Sequence, residues 1–151
     1  MDHSIQGNYM ANPKIPIWIN IVQGLLILIM LQQTYMFFLD PQTIAASGIM
    51  TEGIPNLNLL YEFGARTATM ALLSIIVMIT QNPRYFLVIL LMNLFREGLE
   101  TIVDALYPLA NAPVSPSIDF IMHIVIIAIE LWAFVTMYKI VRQMDEKVAE
   151  G

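Results

Sequence analysis

Cysteine is absent from the sequence, and charged residues are scarce. The 151 residues include 0 Cys, and charged residues make up 13%, against about 25% in a typical soluble domain. Without cysteine the chain has no disulfide, zinc–thiolate site or thiol chemistry. The low charge and the net charge of -5 exclude a nucleic-acid-binding domain, which needs a basic surface, and a water-soluble enzyme with an ordinary polar surface. A hydrophobic fraction of 58% excludes a disordered chain.

Long apolar runs take the place of the missing charge. Four runs are close to the ~20 residues that cross a bilayer as a helix, and they cover residues 15–39, 59–80, 85–107 and 118–141. Prolines lie in the connections between them because proline cannot continue a helix. The sequence therefore predicts an all-α integral membrane protein, a multi-pass four-helix bundle at residues 15–141. A polar tail precedes it at 1–14, and a charged tail follows at 142–151.

The basic residues predict the orientation of the spans. Five of the 7 Lys and Arg lie outside the runs or at their ends, and all five fall on one side of the membrane: Lys14, Arg84, Lys139, Arg142 and Lys147. Because cytoplasmic segments of membrane proteins are enriched in basic residues, we expect both termini to be cytoplasmic. The expected location is a bacterial inner membrane. The sequence leaves open whether Met1 or Met10 is the native start.

Ionisable residues inside the predicted spans are the strongest functional signal. A charge at bilayer depth costs roughly 2.5–3.5 kcal/mol on insertion scales, so such residues usually pair with one another or line a wet cavity. Two arginines and four glutamates lie within the runs: Arg66, Arg96, Glu62, Glu97, Glu100 and Glu130. Since two arginines cannot neutralise four glutamates, we expect at least one carboxyl group to hold a proton or to bind a cation.

Helical spacing brings the polar groups to shared faces. At about 100° per residue, one face of the third span carries Asn93, Glu97, Glu100 and Asp104. The fourth span directs its polar groups in nearly one direction, from Asp119, His123 and Glu130. With cytoplasmic termini, most of these positions fall in the outer half of the membrane. The sequence thus predicts a polar pocket that opens outward, with Arg96 and Glu130 at its floor.

This pocket leads to specific expectations for its residues. The expected ion pairs are Arg66 with Glu100 or Glu62, and Arg96 with Glu130 or Glu97. The expected catalytic carboxyl groups are those of Glu62, Glu97, Glu100 and Glu130. Ligand contacts are expected from Arg66, Arg96, Asn93, Asp104, His123 and Trp132.

The function that this pattern favours is binding of a small lipophilic molecule with a polar head, such as a quinone, a sterol-like compound or a terpenoid. Such a ligand would enter from the lipid of the outer leaflet. Acid/base chemistry of the isomerase or epoxide-opening type needs no cofactor, because one carboxyl group donates a proton while another activates water. The sequence does not decide whether the protein is an enzyme, and no cofactor, nucleic acid or metal is expected.

Several alternatives stay open. Buried ion pairs also serve packing specificity alone. The chain could be a homo-oligomer or an accessory subunit of a larger membrane oxidoreductase complex, in which case Gln32 and Gln33 should face another chain. A proton-coupled carrier is less favoured because no inverted repeat is visible. A metal set of Glu97, Glu100, His123 and Glu130 lacks the paired Glu-x-x-His motifs of di-iron bundles.

Small residues predict where helices come closest. Gly64 and Ala68 form a small-xxx-small pair of the kind that permits close helix contact. Gly98, between two acidic residues, is expected to permit close approach in the polar region.

Short motifs across residues 15–141 resemble the DoxX-like family of small membrane proteins. The resemblance rests on Phe38-Leu39-Asp40-Pro41, on Ala46-Ser47-Gly48-Ile49, on the segment from Glu62 to Arg66 and on the Asn82-Pro83-Arg84 hinge, followed by a span with Arg and Asp. It implies a four-helix transmembrane bundle, and some members of the family are accessories of membrane oxidoreductases. The acidic set on the third span is denser than the family pattern, and the resemblance assigns no catalytic residue.

Overall fold

The computed structural model describes residues 13–111 and 114–150. These residues form five α-helices and no strand: α1 (Ile17–Leu39), α2 (Pro41–Ala46), α3 (Ile54–Thr80), α4 (Pro83–Leu106) and α5 (Pro116–Ala149). The described part of the chain is therefore all-α, as the sequence predicts. Four of the helices are long, and α2 is a short helix of 6 residues.

Prolines and side-chain caps set the helix boundaries. Helices α2, α3, α4 and α5 each have proline in their first two positions, where its missing N–H would have no helical partner. The Asn82 side chain accepts a hydrogen bond of 3.0 Å from the backbone N–H of Arg84 at the start of α4. Gln81 ends α3 in the left-handed region, with φ of 48°. Gln81 and Asn82 alone connect α3 to α4, and the two helices run in opposite directions.

Three of the long helices, α1, α3 and α5, are long and apolar enough to cross a membrane. Helix α4 has sufficient length, at 24 residues, since about 20 residues span the hydrocarbon. It differs in composition because it carries Arg96, Glu97, Glu100 and Asp104 within its second half. The structure thus supports a membrane protein and singles out α4 as the polar helix.

The helices differ in extent from the predicted spans. Helix α3 begins at Ile54 rather than at residue 59, and α5 continues to Ala149 rather than ending at residue 141. Most of the predicted charged tail at 142–151 is therefore helix. Helix α2 is not foreseen by the sequence reasoning; it forms because Asp40 accepts hydrogen bonds from Thr43 at the point where α1 ends. Residues 1–12 of the predicted polar tail, with both candidate starts, lie outside the described residues.

The long helices pack as two antiparallel pairs, α1 with α3 and α4 with α5. An apolar cluster joins the pairs, with Ile19 of α1, Val77 of α3, Leu90 of α4 and Met137 of α5 all buried. At one end, Gln81 Nε2 donates a hydrogen bond of 2.8 Å to Asn20 Oδ1. This end also has the starts of α1 and α4 and the end of α5, and we call it the basic end for its residues Lys14, Arg84, Lys139, Arg142 and Lys147. The opposite end, with α2 and residues 107–111, is called the α2 end.

Helices α1 and α3 pack closely at Gly64. A Cβ atom at Gly64 would lie 2.9 Å from Phe37 Cβ and 2.9 Å from Phe38 Cε2, closer than side chains normally approach. The prediction of close helix contact at Gly64 is confirmed. The matching expectation for Gly98 is wrong, because a Cβ there would meet nothing within 4 Å.

Candidate functional site

Six ionisable side chains meet between α4 and α5 toward the α2 end. We call this group the polar cluster; it consists of Arg96, Glu97, Glu100 and Asp104 on α4 and Asp119 and His123 on α5. Spacings of three or four residues put Glu97, Glu100 and Asp104 on one face of α4, with Arg96 at its edge, and put the two α5 residues on one face of that helix. The antiparallel packing of the two helices then brings the two faces together, as the helical periodicity predicts.

Glu97 lies at the centre of the polar cluster, with its side chain only 6% exposed. One carboxylate oxygen accepts a hydrogen bond from the Arg96 guanidinium, and the other lies 3.2 Å from His123 Nδ1. Arg96 Nε lies 3.8 Å from a Glu100 oxygen as well. Thr101 donates a hydrogen bond of 2.6 Å to the backbone carbonyl of Glu97. Both oxygens of this buried carboxylate therefore face cationic or hydrogen-bonding partners.

His123 connects the buried and the exposed parts of the cluster. Its Nε2 lies 3.5 Å from Asp104 Oδ2 and 3.8 Å from Asp119 Oδ2. The two aspartate side chains are about half-buried, whereas that of Glu97 is buried. A neutral imidazole carries a proton on one nitrogen and a lone pair on the other. With Nδ1–H donated to Glu97, the Nε2 lone pair would face two acceptors, so this nitrogen is suited to taking up a proton or binding a cation.

A small cavity of about 10 Å³ lies beside this histidine and is lined by Thr101, Asp104, Asp119 and His123. A cavity of about this volume holds a single water molecule. Ligand atoms of Asp104, Asp119 and His123 lie within 4.8 Å of one another, so these three residues could hold a metal ion. They differ from the sequence-derived set, of which only His123 takes part.

A second group of polar side chains is buried farther from the α2 end, and each long helix contributes one of them. Gln23, Ser74, Asn93 and Glu130 belong to α1, α3, α4 and α5, and each is 0% exposed. Asn93 Nδ2 donates a hydrogen bond of 3.4 Å to Gln23 Oε1. Among the described residues, neither carboxyl oxygen of Glu130 nor the Ser74 hydroxyl has a hydrogen-bond partner.

An unpartnered buried polar group is costly, by about 1–3 kcal/mol for a neutral group and more for a charged one. Glu130 has two such oxygens in the interior of the protein. Native proteins keep few groups of this kind, and those that they keep often have a functional role or bind ordered water. Glu130 is thus a site candidate by burial as well as by sequence.

Glu62 and Arg66 lie away from the polar cluster. Their side chains form an ion pair of 3.3 Å along α3, with 52% and 69% of their respective side chains exposed. Arg66 also lies over the Phe63 ring, 5.7 Å from its centroid. Of the two expected partners of Arg66, the structure shows Glu62 and not Glu100. For Arg96 it shows Glu97, and Glu130 forms no ion pair in the described ranges.

Trp132 also lies outside the cluster. It is exposed, and its ring packs on Trp18 of α1 with 4.9 Å between the centroids. Glu130, two residues earlier on α5, faces the interior instead. The structure therefore places Trp132 where it contacts α1 and the surroundings of the protein rather than the predicted pocket.

The sequence reasoning assigns no site role to Gln23 or Ser74, which the structure places with the predicted residues. It puts Asp119 on the polar face of the fourth span but gives it no catalytic or ligand-binding role. A signal for the first two was present, since each is an isolated polar residue within a long apolar run. Asp119 lies one helical turn from His123 on α5 and shares its face.

Comparison with known proteins adds no relative. The chain matches no protein-family model, no curated protein and no solved structure. The resemblance to DoxX-like proteins stays a prediction.

Proposed function

We propose that the four long helices form a transmembrane bundle with both termini in the cytoplasm. Three of the helices have the length and hydropathy of membrane spans, and α4 packs along α5. All five basic residues outside the predicted intramembrane set lie at the basic end, which fits the enrichment of such residues in cytoplasmic segments. The polar cluster then lies in the outer half of the membrane.

In this setting the polar cluster binds the polar head of a small lipophilic molecule that enters from the outer leaflet. The observation that carries the proposal is the buried Glu97–His123 pair, at 3.2 Å between α4 and α5. The carboxylates of Glu100, Asp104 and Asp119 beside it are partly open. The buried groups fix the orientation of the ligand head, and the open groups admit it.

The charges of the cluster favour a head group that donates hydrogen bonds. Four carboxylates face one arginine and one histidine in the cluster, so acceptors outnumber donors. A hydroxyl or amine head would satisfy these acceptors, whereas a carboxylate or phosphate head would be repelled. The small cavity of about 10 Å³ means that only the head enters between the helices, and the apolar body stays in lipid.

The same geometry permits proton transfer without a cofactor. With Nδ1–H donated to Glu97, His123 Nε2 takes a proton from a carbon or oxygen of the ligand, and the imidazolium is stabilised by the Glu97 carboxylate. The proton returns to another atom of the same ligand, directly or through Asp104. The reaction class is isomerisation, in which no atom is gained or lost.

Native mass spectrometry of the gently solubilised protein tests this proposal. We expect wild type to retain a reproducible small molecule and His123→Gln to lose it, because glutamine cannot replace the imidazole between Glu97 and the aspartates. Glu62→Gln is the matched control, since Glu62 lies on α3 away from the cluster. If wild type and His123→Gln are both folded and retain the small molecule equally, ligand binding at this site is refuted.

The Glu62–Arg66 pair favours a second candidate function, that of a subunit in an oligomer or a larger membrane complex. Asn58 donates a hydrogen bond of 3.3 Å to Glu62, and Arg66 pairs with it one turn farther along α3, so a polar stripe faces away from the other helices. Gln32 is exposed on α1 as well. Charged residues facing lipid are expensive, and a partner chain would cover them. A fixed partner mass in the same spectra, lost in Arg66→Ala, would support this function.

A further inference from the structure

A second cavity lies at the basic end, far from the polar cluster. It has a volume of about 200 Å³ and lies between the start of α4, the last turns of α5 and the segment before α1. Its basic lining residues are Arg84 and Lys147, and its apolar wall is formed by Ile140, Met144 and Val148. None of the described residues that line this cavity is acidic. The cavity therefore combines positive charge with an adjoining apolar wall.

The two basic residues differ in their partners. Arg84 is the second residue of α4, and its backbone N–H donates to the Asn82 cap. Its guanidinium pairs with Asp145 of α5 at 2.5 Å, and both side chains are more than half exposed. Lys147 follows Asp145 by two residues in the last turn of α5. Arg84 is thus partly neutralised, and Lys147 leaves the cavity with an excess of positive charge.

Aromatic residues place this cavity at the boundary between lipid and water. Tyr85 and Tyr138 are exposed near the basic end, and tyrosine is enriched at membrane interfaces. The apolar wall continues along α5 from Val148 toward the membrane interior. An occupant would therefore have its charged part beside Arg84 and Lys147 and its apolar part against Ile140 and Met144.

We propose that the cavity lined by Arg84 and Lys147 binds the phosphate of an anionic phospholipid, with the glycerol and first methylene groups against Ile140 and Met144. Basic cavities between membrane helices at the cytoplasmic side are suited to such head groups. A free phosphate is also an anion but would leave the apolar wall uncovered. This inference rests on the proposed membrane insertion and not on ligand binding at the polar cluster.

Native mass spectrometry of the purified full-length chain, titrated with phosphatidylglycerol, tests the inference. Phosphatidylcholine and inorganic phosphate are titrated in parallel. Lys147→Gln should weaken phosphatidylglycerol binding about fivefold, the contribution expected of one basic residue at an anionic lipid. Asp145→Asn should strengthen it, because Arg84 is released from its ion pair. These opposite effects from neighbouring residues would not arise from a general loss of fold.

Arg142→Gln is the matched control. Arg142 lies on the same helix and the same end of the protein, but it pairs with Glu146 at 2.8 Å and does not line the cavity. We expect its phosphatidylglycerol binding to equal that of wild type. A loss equal to that in Lys147→Gln would overturn the proposal in favour of general electrostatic attraction. Equal binding of phosphatidylcholine, or displacement of the lipid by inorganic phosphate alone, would overturn it as well.

Discussion

At the scale of single residues, Glu97 is the side chain on which the polar cluster depends most. It accepts from Arg96 on its own helix and lies beside His123 on the facing helix, and it is almost fully buried. Removing one partner of a buried ion pair leaves the other charge without compensation, which costs more than the pair itself contributes. The Glu62–Arg66 pair is also a glutamate–arginine pair, but both of its side chains are exposed.

Glu97→Gln should therefore lower the free energy of unfolding by about 3–5 kcal/mol, since Arg96 would keep only its 3.8 Å contact with Glu100. The matched change Glu62→Gln should cost less than about 1 kcal/mol because its pair is exposed. Unfolding of the two variants in a mixed detergent–denaturant titration measures both values. A similar cost for both would show that the cluster is not the buried network described above.

The residues of the cluster could largely be predicted from sequence, but the partner of each arginine could be predicted only as one of two alternatives. Charges within apolar runs identify Glu97, Glu100 and Arg96, because few roles justify the cost of burying them. Helical periodicity predicts the direction in which each side chain leaves the axis of its own helix. It does not predict how one helix is rotated about its axis relative to its neighbours. That rotation turns Glu62 and Arg66 away from α4.

At the scale of helices, length and contact distance are the features that the sequence specifies least. The span of α5 follows from its apolar run only as far as residue 141, whereas the helix continues through charged residues to Ala149. Alternating charges such as the Arg142–Glu146 pair stabilise this extension. Composition thus predicts where the apolar part of a helix ends, but it does not predict where the helix itself ends.

Gly64 of α3 and Gly98 of α4 allow a direct test of the α1–α3 contact. Gly64→Ala should lower the free energy of unfolding by about 1–3 kcal/mol, because the new Cβ would press on Phe37 and Phe38. Gly98→Ala should raise it by up to about 1 kcal/mol, since the new methyl group meets nothing and alanine favours helix. Thermal unfolding followed by circular dichroism gives both signs, and the same sign for both variants would contradict the close contact at Gly64.

At the scale of the whole molecule, the two ends of the helices have different chemistry. The basic end carries all three lysines and two of the four arginines, together with the cavity lined by Arg84 and Lys147. The α2 end carries the open aspartates of the polar cluster. This asymmetry supports a fixed orientation in the membrane, and it puts the two proposed sites, for an anionic lipid and for a lipophilic ligand, at opposite ends of the helices.

Access to the polar cluster from the outer side of the membrane can be measured by side-specific thiol labelling. The chain has 0 Cys, so single cysteine variants have no background. We predict that Asp104→Cys in intact cells or oriented vesicles reacts with a charged, membrane-impermeant maleimide added outside. Ile102→Cys, exposed on the same helix, should not react because it faces lipid, and Glu150→Cys should react only after the membrane is opened. Reaction of Asp104→Cys only after opening, or labelling of Ile102→Cys at the same rate, would contradict an outward-opening polar site.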